Sequence, residues 1–368
     1  MNVLITGAKG FLGRNVSLYL SARGYTILSY DIDNHPDELP VLLKQADAIL
    51  HFAGINRPLK AEEFLDGNVF FTKRLLEEVA GSKKKIPLLF TSSIQAEKQN
   101  PYGASKKIAE DLIFEFSKKQ DCPVCIYRLY NVYGKGCRPF YNSVIATWCY
   151  QIAHGKPIEV NPENPRIPFV FIDDICQEFE RFLRGEVACD DTIHYVEPHD
   201  EKNLLEVANL IQSFPEIRSK GMLSPQEGFA KKLYSTYLTY LEPEDFAYNL
   251  FPHTDERGSF TEFLKTPNFG QVSVNVARPG ITKGNHYHHL KNEKFLVVSG
   301  TCEIVLRKVG EETIHRFVCT GNHLQVVDIP AGYTHSIKNI GNADAVTIMW
   351  ANELYDPENP DTYLEKVE

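Results

Sequence analysis

The 368-residue sequence predicts an α/β doubly wound parallel sheet followed by an all-β antiparallel barrel or jelly roll. Three observations predict it. The first apolar run ends in a glycine-rich loop, and short apolar runs then alternate with helical periodicity to about residue 180. Beyond about residue 250 the pattern becomes closely spaced alternating strands cut by Gly, Pro and Asn turns.

In chain order, NVLITG, YTILSYD, AILHFAG, IPLLFTSS, CPVCIYRLY and IPFVFIDD read as buried parallel strands. Each is apolar without the alternation of a half-exposed strand. NLLEVANLIQSF, between about 200 and 232, has helical period, and LYSTYLTYL, at about 233–241, reads as an aromatic linker packing on both domains. The later strands are RGSFTEFLK, GQVSVNVAR, KFLVVSGTCEIVLRKV, HLQVVDIP and AVTIMWAN. The chain exceeds what one core organises, and the change of pattern divides it into residues 1–242 and 243–368.

Composition narrows the function. A net charge of -9 without a block of like charges excludes non-specific nucleic-acid binding, which needs a clustered basic surface. The run Lys83 to Lys85 is too short and reads as a solvated loop before the strand opened by Pro87. No stretch reaches the roughly 20 apolar residues of a membrane span, and Met1 leads straight into NVLITG without a charged leader or cleavage site. A cytoplasmic protein without a membrane partner is expected. The eight cysteines are scattered and read as free thiols; Cys122 and Cys125 form one C-x-x-C, but a zinc site would need a second pair.

The first strand runs into Gly7, Ala8, Lys9, Gly10, Phe11, Leu12 and Gly13, followed by a helical pattern. Glycines there let backbone N–H groups and a helix N-terminus approach a pyrophosphate. Asp31, eighteen residues past Gly13, ends the second strand, where an acid hydrogen-bonds ribose hydroxyls and repels a 2′-phosphate. Lys9 would attract that phosphate instead, so the choice between NADH and NADPH stays open. Downstream, Tyr102 and Lys106 lie four residues apart at a helix start, on one face. An ammonium beside a phenol favours its ionised form and brings it nearer to general acid use. Ser93, at a strand end, is placed to hydrogen-bond a reacting carbonyl.

With these residues in view, residues 1 to about 240 resemble the extended short-chain dehydrogenase/reductases, a Rossmann fold. The segments that carry the resemblance are TGAKGFLG, HFAG with Ala53 and Gly54, Asn68, the set Ser93, Tyr102 and Lys106, and RLYNVYG. It implies that Tyr102 exchanges a proton with the substrate oxygen during hydride transfer. Lys106 would hold the nicotinamide ribose, Asn131 and the following segment would line the substrate side, and nucleotide sugars are the typical substrates.

The second half carries Gly280-x5-His286-x-His288-x4-Glu293-x6-Gly300 and Pro330-x-Gly332-x2-His335-x3-Asn339. Residues two apart on a strand share a face, so His286 and His288 can enter a barrel together. With Glu293 and His335 they make three imidazoles and a carboxylate, suited to zinc or another divalent first-row metal. Both spacings resemble the paired motifs of the cupin superfamily, except that Leu324 stands where the second motif has glycine. His289, His315 and His323 lack such support and read as solvated.

The stretch Asp255 to Glu262 and Lys283 to Tyr287 resemble rhamnose-pathway keto-sugar 3,5-epimerases, in which the histidine at the His286 position abstracts the proton. A ligated imidazole is not a free base, so Lys294, His288 or a metal-bound water is the alternative.

Nearly end to end, through SSIQA, NPYG, YNSVIAT, RGSFTEF, TKGNH, NEKFLVVSG, VVDIP and PDTY, the chain resembles bifunctional capsular-polysaccharide enzymes of the CapF type. That resemblance implies a homodimer using NADPH, with NADH the alternative, and zinc. It also implies carbon 3 epimerisation and carbon 4 reduction of a UDP-linked 4-keto-6-deoxy amino sugar for capsule or O-antigen. Two other functions fit the same residues: a reductase whose cupin is a structural or regulatory metal module, and a non-catalytic nucleotide sensor. The intact Tyr102 and Lys106 pair counts against the sensor.

Overall fold

The computed structural model describes residues 1–368 except 59, 61, 220, 221, 223, 250–252, 256, 257, 261–269 and 354–357. Of residues 253–255, 258–260, 271 and 273 it describes the backbone. The described residues form two compact units, Met1–Ser143 with Arg166–Lys202, and Val144–Pro165 with Asn203–Glu368.

The first unit runs β1 (Asn2–Thr6), α1 (Phe11–Ser21), β2 (Thr26–Tyr30), α2 (Glu38–Gln45), β3 (Ala48–His51), α3 (Phe71–Gly81), β4 (Leu88–Ser93), α4 (Pro101–Gln120), β5 (Val124–Leu129) and β6 (Asn131–Tyr133). After α5 (Val144–Ala153), which belongs to the second unit, it continues as β7 (Arg166–Phe171), α6 (Ile172–Leu183), β8 (Ile193–His194) and β9 (Asp200–Asn203). A six-stranded parallel sheet has the order β2-β1-β3-β4-β5-β8. Leu4, Ile49, Leu88 and Ile126, one from each of four neighbouring strands, are fully buried. Side chains of this kind stabilise by roughly 1.5–3 kcal/mol each.

From β1 the chain goes first to one neighbour, β2, and then to the other, β3. Strand order therefore reverses between β1 and β3, and the crevice beyond their C-terminal ends is where such sheets bind ligands. IPFVFIDD gives a strand, β7, parallel to β6 as expected, but in a separate three-stranded sheet, β6-β7-β9. The sixth place in the main sheet falls to β8, which at two residues is too short to carry a period.

The second unit contains α5, α7 (Leu204–Ser219) and α8 (Gly228–Leu238), then β10 (Ala247–Asn249), β11 (His253–Asp255), β12 (Gly258–Phe260), β13 (Gln271–Ala277) and β14 (Thr282–Tyr287). There follow β15 (Glu293–Ser299), β16 (Thr301–Lys308), β17 (Ile314–Thr320), β18 (Gln325–Ile329), β19 (Tyr333–Asn339), β20 (Ala345–Ala351) and β21 (Tyr363–Leu364).

The expected aromatic linker is instead helix α8. Leu233, Tyr234, Tyr237 and Leu238 fall on one helical face and are buried, with Tyr234 edge-on to Phe214 of α7. Burial of that face decides the conformation.

Among the described residues the β part forms two five-stranded antiparallel sheets, β10-β18-β15-β20-β13 and β17-β16-β19-β14-β21, and a two-stranded one, β11-β12. The long run KFLVVSGTCEIVLRKV breaks at Gly300 (φ +79°), and its halves β15 and β16 enter different sheets. Of the stretch Asp255 to Glu262, residues Glu256, Arg257, Thr261 and Glu262 lie outside the described residues. All eight cysteines are free thiols, and no described helix is long and apolar enough to cross a membrane.

Candidate active site and candidate metal centre

The loop after β1 turns on Gly7 (φ +68°), and a Cβ there would stand 2.7 Å from the Ala53 nitrogen at the end of β3. At Gly13 a Cβ would stand 2.2 Å from the Gly7 carbonyl oxygen. Only glycine lets loop, helix and strand approach this closely. Gly10 precedes α1 without a side-chain cap, so the first N–H groups of the helix are left for an anionic ligand.

These elements open onto a cleft of about 690 Å³. Its lining includes Gly7, Lys9, Gly10, Phe11, Leu12, Gly13 and Gly54 together with Ser93, Tyr102 and Lys106. Asn131, expected on the substrate side, also lines it, as do Tyr130, Arg138, Tyr141 and Asn142.

Asp31 is tied to the loop, its carboxylate accepting the Lys9 N–H at 2.7 Å and the Ile32 N–H at 2.8 Å. The Lys9 ammonium pairs with Asp33 at the surface.

Lys106 is buried and its Nζ donates to the Thr91 carbonyl at 2.9 Å. Burial pulls its pKa down to about 8, against the upward pull of the Glu110 carboxylate. Tyr102 departs from expectation. Burial pushes its pKa up, the Ser93 hydrogen bond only partly offsets this, and Tyr141 adds to the rise. The phenol is therefore protonated at neutral pH, the form a proton donor needs. Ser93 also accepts the Gln95 N–H at 3.2 Å, which fixes its hydroxyl at the end of β4.

Two networks support these residues. Asn68 accepts the Ile55 N–H at 2.7 Å and donates to the Ile55 carbonyl and to Ser105, tying the turn after β3 to the start of α4. Beneath Lys106, the fully buried Glu110 is held by a two-pronged Arg128 at 2.9 and 2.7 Å and by the Ser92 hydroxyl at 2.5 Å. Arg128→Ala would strand that carboxylate. We expect a loss of about 3–5 kcal/mol in unfolding free energy by denaturant titration, with much of it recovered when Glu110→Leu is added.

In the second unit His286 on β14, His288 just past it, Glu293 on β15 and His335 on β19 converge, with ligand atoms all within 4.8 Å of one another. The imidazoles come from one sheet and the carboxylate from the other. His288 Nε2 and His335 Nε2 stand 3.3 and 3.0 Å from Glu293 Oε2. All three atoms are buried without a hydrogen-bond partner. His288 Nδ1 lies 2.6 Å from the Asp361 carbonyl, which only accepts, so Nδ1 carries the hydrogen and, in the neutral imidazole, Nε2 turns its lone pair inward. Three imidazoles and a carboxylate converging at this range are a donor set that fits zinc or a similar divalent ion.

The structure does not bring Lys294 to this cluster. Neighbours on a strand face opposite sides, and with Glu293 inward Lys294 points outward, donating to Asp328 at 2.7 Å and the Tyr248 hydroxyl at 2.8 Å. Arg218 of α7 holds the other Asp328 oxygen at 2.8 Å, so Lys294 helps dock that helix on the sheet. His289 departs from expectation too: it is buried, edge-on to Tyr363, while His323 is exposed.

A parallel sheet with this loop and cleft defines a dinucleotide-binding enzyme of the epimerase and short-chain reductase fold. The chain belongs to the NAD dependent epimerase/dehydratase family, whose model matches residues 3–195. Residues 253–363 match the polysaccharide biosynthesis C-terminal domain. The chain is 41% identical over 366 residues to UDP-2-acetamido-2,6-beta-L-arabino-hexul-4-ose reductase of Pseudomonas aeruginosa, covering 99% of this chain and 98% of that protein. The crystal structure of the capsular polysaccharide assembling protein CapF from Staphylococcus aureus is similar over 100% of both chains, with 44% identity and a TM-score of 0.67. UDP-glucuronic acid 4-epimerase from Bacillus cereus, at 18% identity and a TM-score of 0.57, covers 65% of this chain and 96% of its own. That likeness is one of fold.

Proposed function

We propose that the chain is a bifunctional UDP-sugar enzyme. Its cupin domain, residues 243–368, inverts carbon 3 of a UDP-2-acetamido-2,6-dideoxy-4-hexulose. Its reductase domain, residues 1–242, then reduces carbon 4 to a UDP-N-acetyl-6-deoxytalose for capsule or O-antigen. The observation that carries the reading is the convergence of Ser93, Tyr102, Lys106 and the glycine loop on one cleft, in a chain similar along its whole length to a hexulose reductase.

The dinucleotide supplies hydride. Ser93 hydrogen-bonds the carbonyl, Tyr102 donates the proton its oxygen needs as hydride arrives, and Lys106 positions the ribose beside them. His286, His288, Glu293 and His335 would hold a divalent ion that polarises the same carbonyl during epimerisation, making the carbon 3 hydrogen acidic.

The test is product NMR in deuterated water with each reduced dinucleotide. Cofactor consumption with deuterium at carbon 3 supports the reading; neither, with the 4-keto sugar present, overturns it. The outward-facing Lys294 favours a second reading, a single-activity reductase with a structural metal module. Under it, reduction proceeds without deuterium uptake.

NADPH is proposed as the reductant, with NADH the alternative. Its 2′-phosphate would meet Asp31, and Lys9 compensates only by leaving Asp33. Asp31→Asn keeps an acceptor and removes the charge. It should raise kcat/KM for NADPH relative to NADH by about tenfold, on the order of 1.4 kcal/mol, measured with both cofactors.

A further inference from the structure

The chain segment 360–363 returns to residues 287–291 through a set of hydrogen bonds and a ring contact. The N–H groups of His289, Leu290 and Lys291 donate to the Asp361 carboxylate at 3.0, 3.0 and 2.8 Å. The buried Lys291 ammonium donates to the Pro360 carbonyl at 2.7 Å. Tyr363 stacks on Tyr287 with ring centroids 5.4 Å apart and pairs with it across β14 and β21. The Asp361 carbonyl takes the Nδ1 hydrogen of His288 at 2.6 Å.

We infer that Asp361 is a positioning residue for the metal centre: its carboxylate fixes the loop 289–291 and its carbonyl fixes the tautomer and ring of His288. The inference rests on the metal reading above. Physically, a carbonyl on Nδ1 holds the hydrogen there, so that the neutral ring presents its lone pair at Nε2, and the carboxylate that accepts three N–H groups keeps Asp361 where its carbonyl can do this. Outer partners of this kind set ligand basicity and orientation, and disturbing one costs roughly 10- to 100-fold in metal affinity. Asp361 also sits at φ +39°, a conformation that asparagine tolerates as well as aspartate.

Asp361→Asn therefore keeps the backbone and removes hydrogen bonds. With its oxygen in the place of Oδ2 it keeps the bonds from Leu290 and Lys291 and loses that from His289; flipped, it loses two.

The experiment uses the full chain and zinc ions alone, competed against a chromophoric chelator, with melting temperature recorded with and without metal. The wild type should take up zinc. Asp361→Asn should bind it about 10- to 100-fold more weakly, with a smaller metal-dependent gain in melting temperature. If the variant melts lower with and without zinc by the same amount and keeps wild-type affinity, Asp361 is merely structural and the inference is overturned. Should it fail to fold, Lys291→Met, which removes only the bond to Pro360, should weaken zinc in the same direction; unchanged affinity there overturns the inference instead. A wild-type chain that takes up no zinc overturns the metal reading itself, a result distinct from equal affinities in wild type and variant.

Discussion

Tyr102→Phe is expected to lower the rate of ketone reduction by about 100- to 10,000-fold, the range a positioned general acid contributes. Hydride delivered to a carbonyl leaves an alkoxide, which must gain a proton, and of the groups lining the cleft Tyr102 is placed with Ser93 and Lys106 to give it. Tyr102 has that proton available, because burial pushes its pKa up. Phenylalanine keeps the ring that packs 5.7 Å from Phe64 and removes only the hydroxyl. Dinucleotide affinity, set at the glycine loop, should hold within about twofold, since no ribose or phosphate contact is removed. Exchange at carbon 3 should persist. Stopped-flow loss of reduced dinucleotide, fluorescence binding and deuterium exchange check the three parts. An unimpaired rate in the variant would remove Tyr102 from the reaction.

The role of burial here explains much of what the sequence could and could not reveal. Spacing alone made Tyr102 and Lys106 legible as a pair, but whether the lysine draws the phenol down depends on what each group faces. Lys106 is engaged by the Thr91 carbonyl, fifteen residues away in sequence, and desolvation of Tyr102 dominates.

The same limit hid Glu110 with Arg128, eighteen residues apart, and Asp361 with His288, seventy-three apart, since neither pair leaves a local period. Strand alternation, by contrast, was legible for His286, His288, Glu293 and His335. It also contained the answer for Lys294, because a strand that turns Glu293 inward must turn its neighbour out. In LYSTYLTYL the apolar positions at Leu233, Tyr234, Tyr237 and Leu238 were a helical stripe too, masked by the polar hydroxyls of residues read as linker.

His335→Ala should abolish metal retention. Of the four candidate ligand residues, His288 and His335 are almost wholly buried and Glu293 is partly so. Removing the His335 imidazole leaves the Glu293 carboxylate facing a void, with water or His288 as its remaining company. The loss should exceed the roughly 10- to 100-fold expected from disturbing an outer partner such as Asp361. Metal content measured after gel filtration should fall from about one ion per chain to near none, and the melting transition should become indifferent to added zinc.

His286 is only half-buried and has no orphaned atom, so His286→Ala should retain more metal than His335→Ala. That ordering separates a centre built on the three converging buried atoms from one in which all four residues contribute alike. Equal loss in both variants would place His286 on the ion as firmly as the others and leave proton abstraction to another group. Graded loss would leave its imidazole able to act as the base.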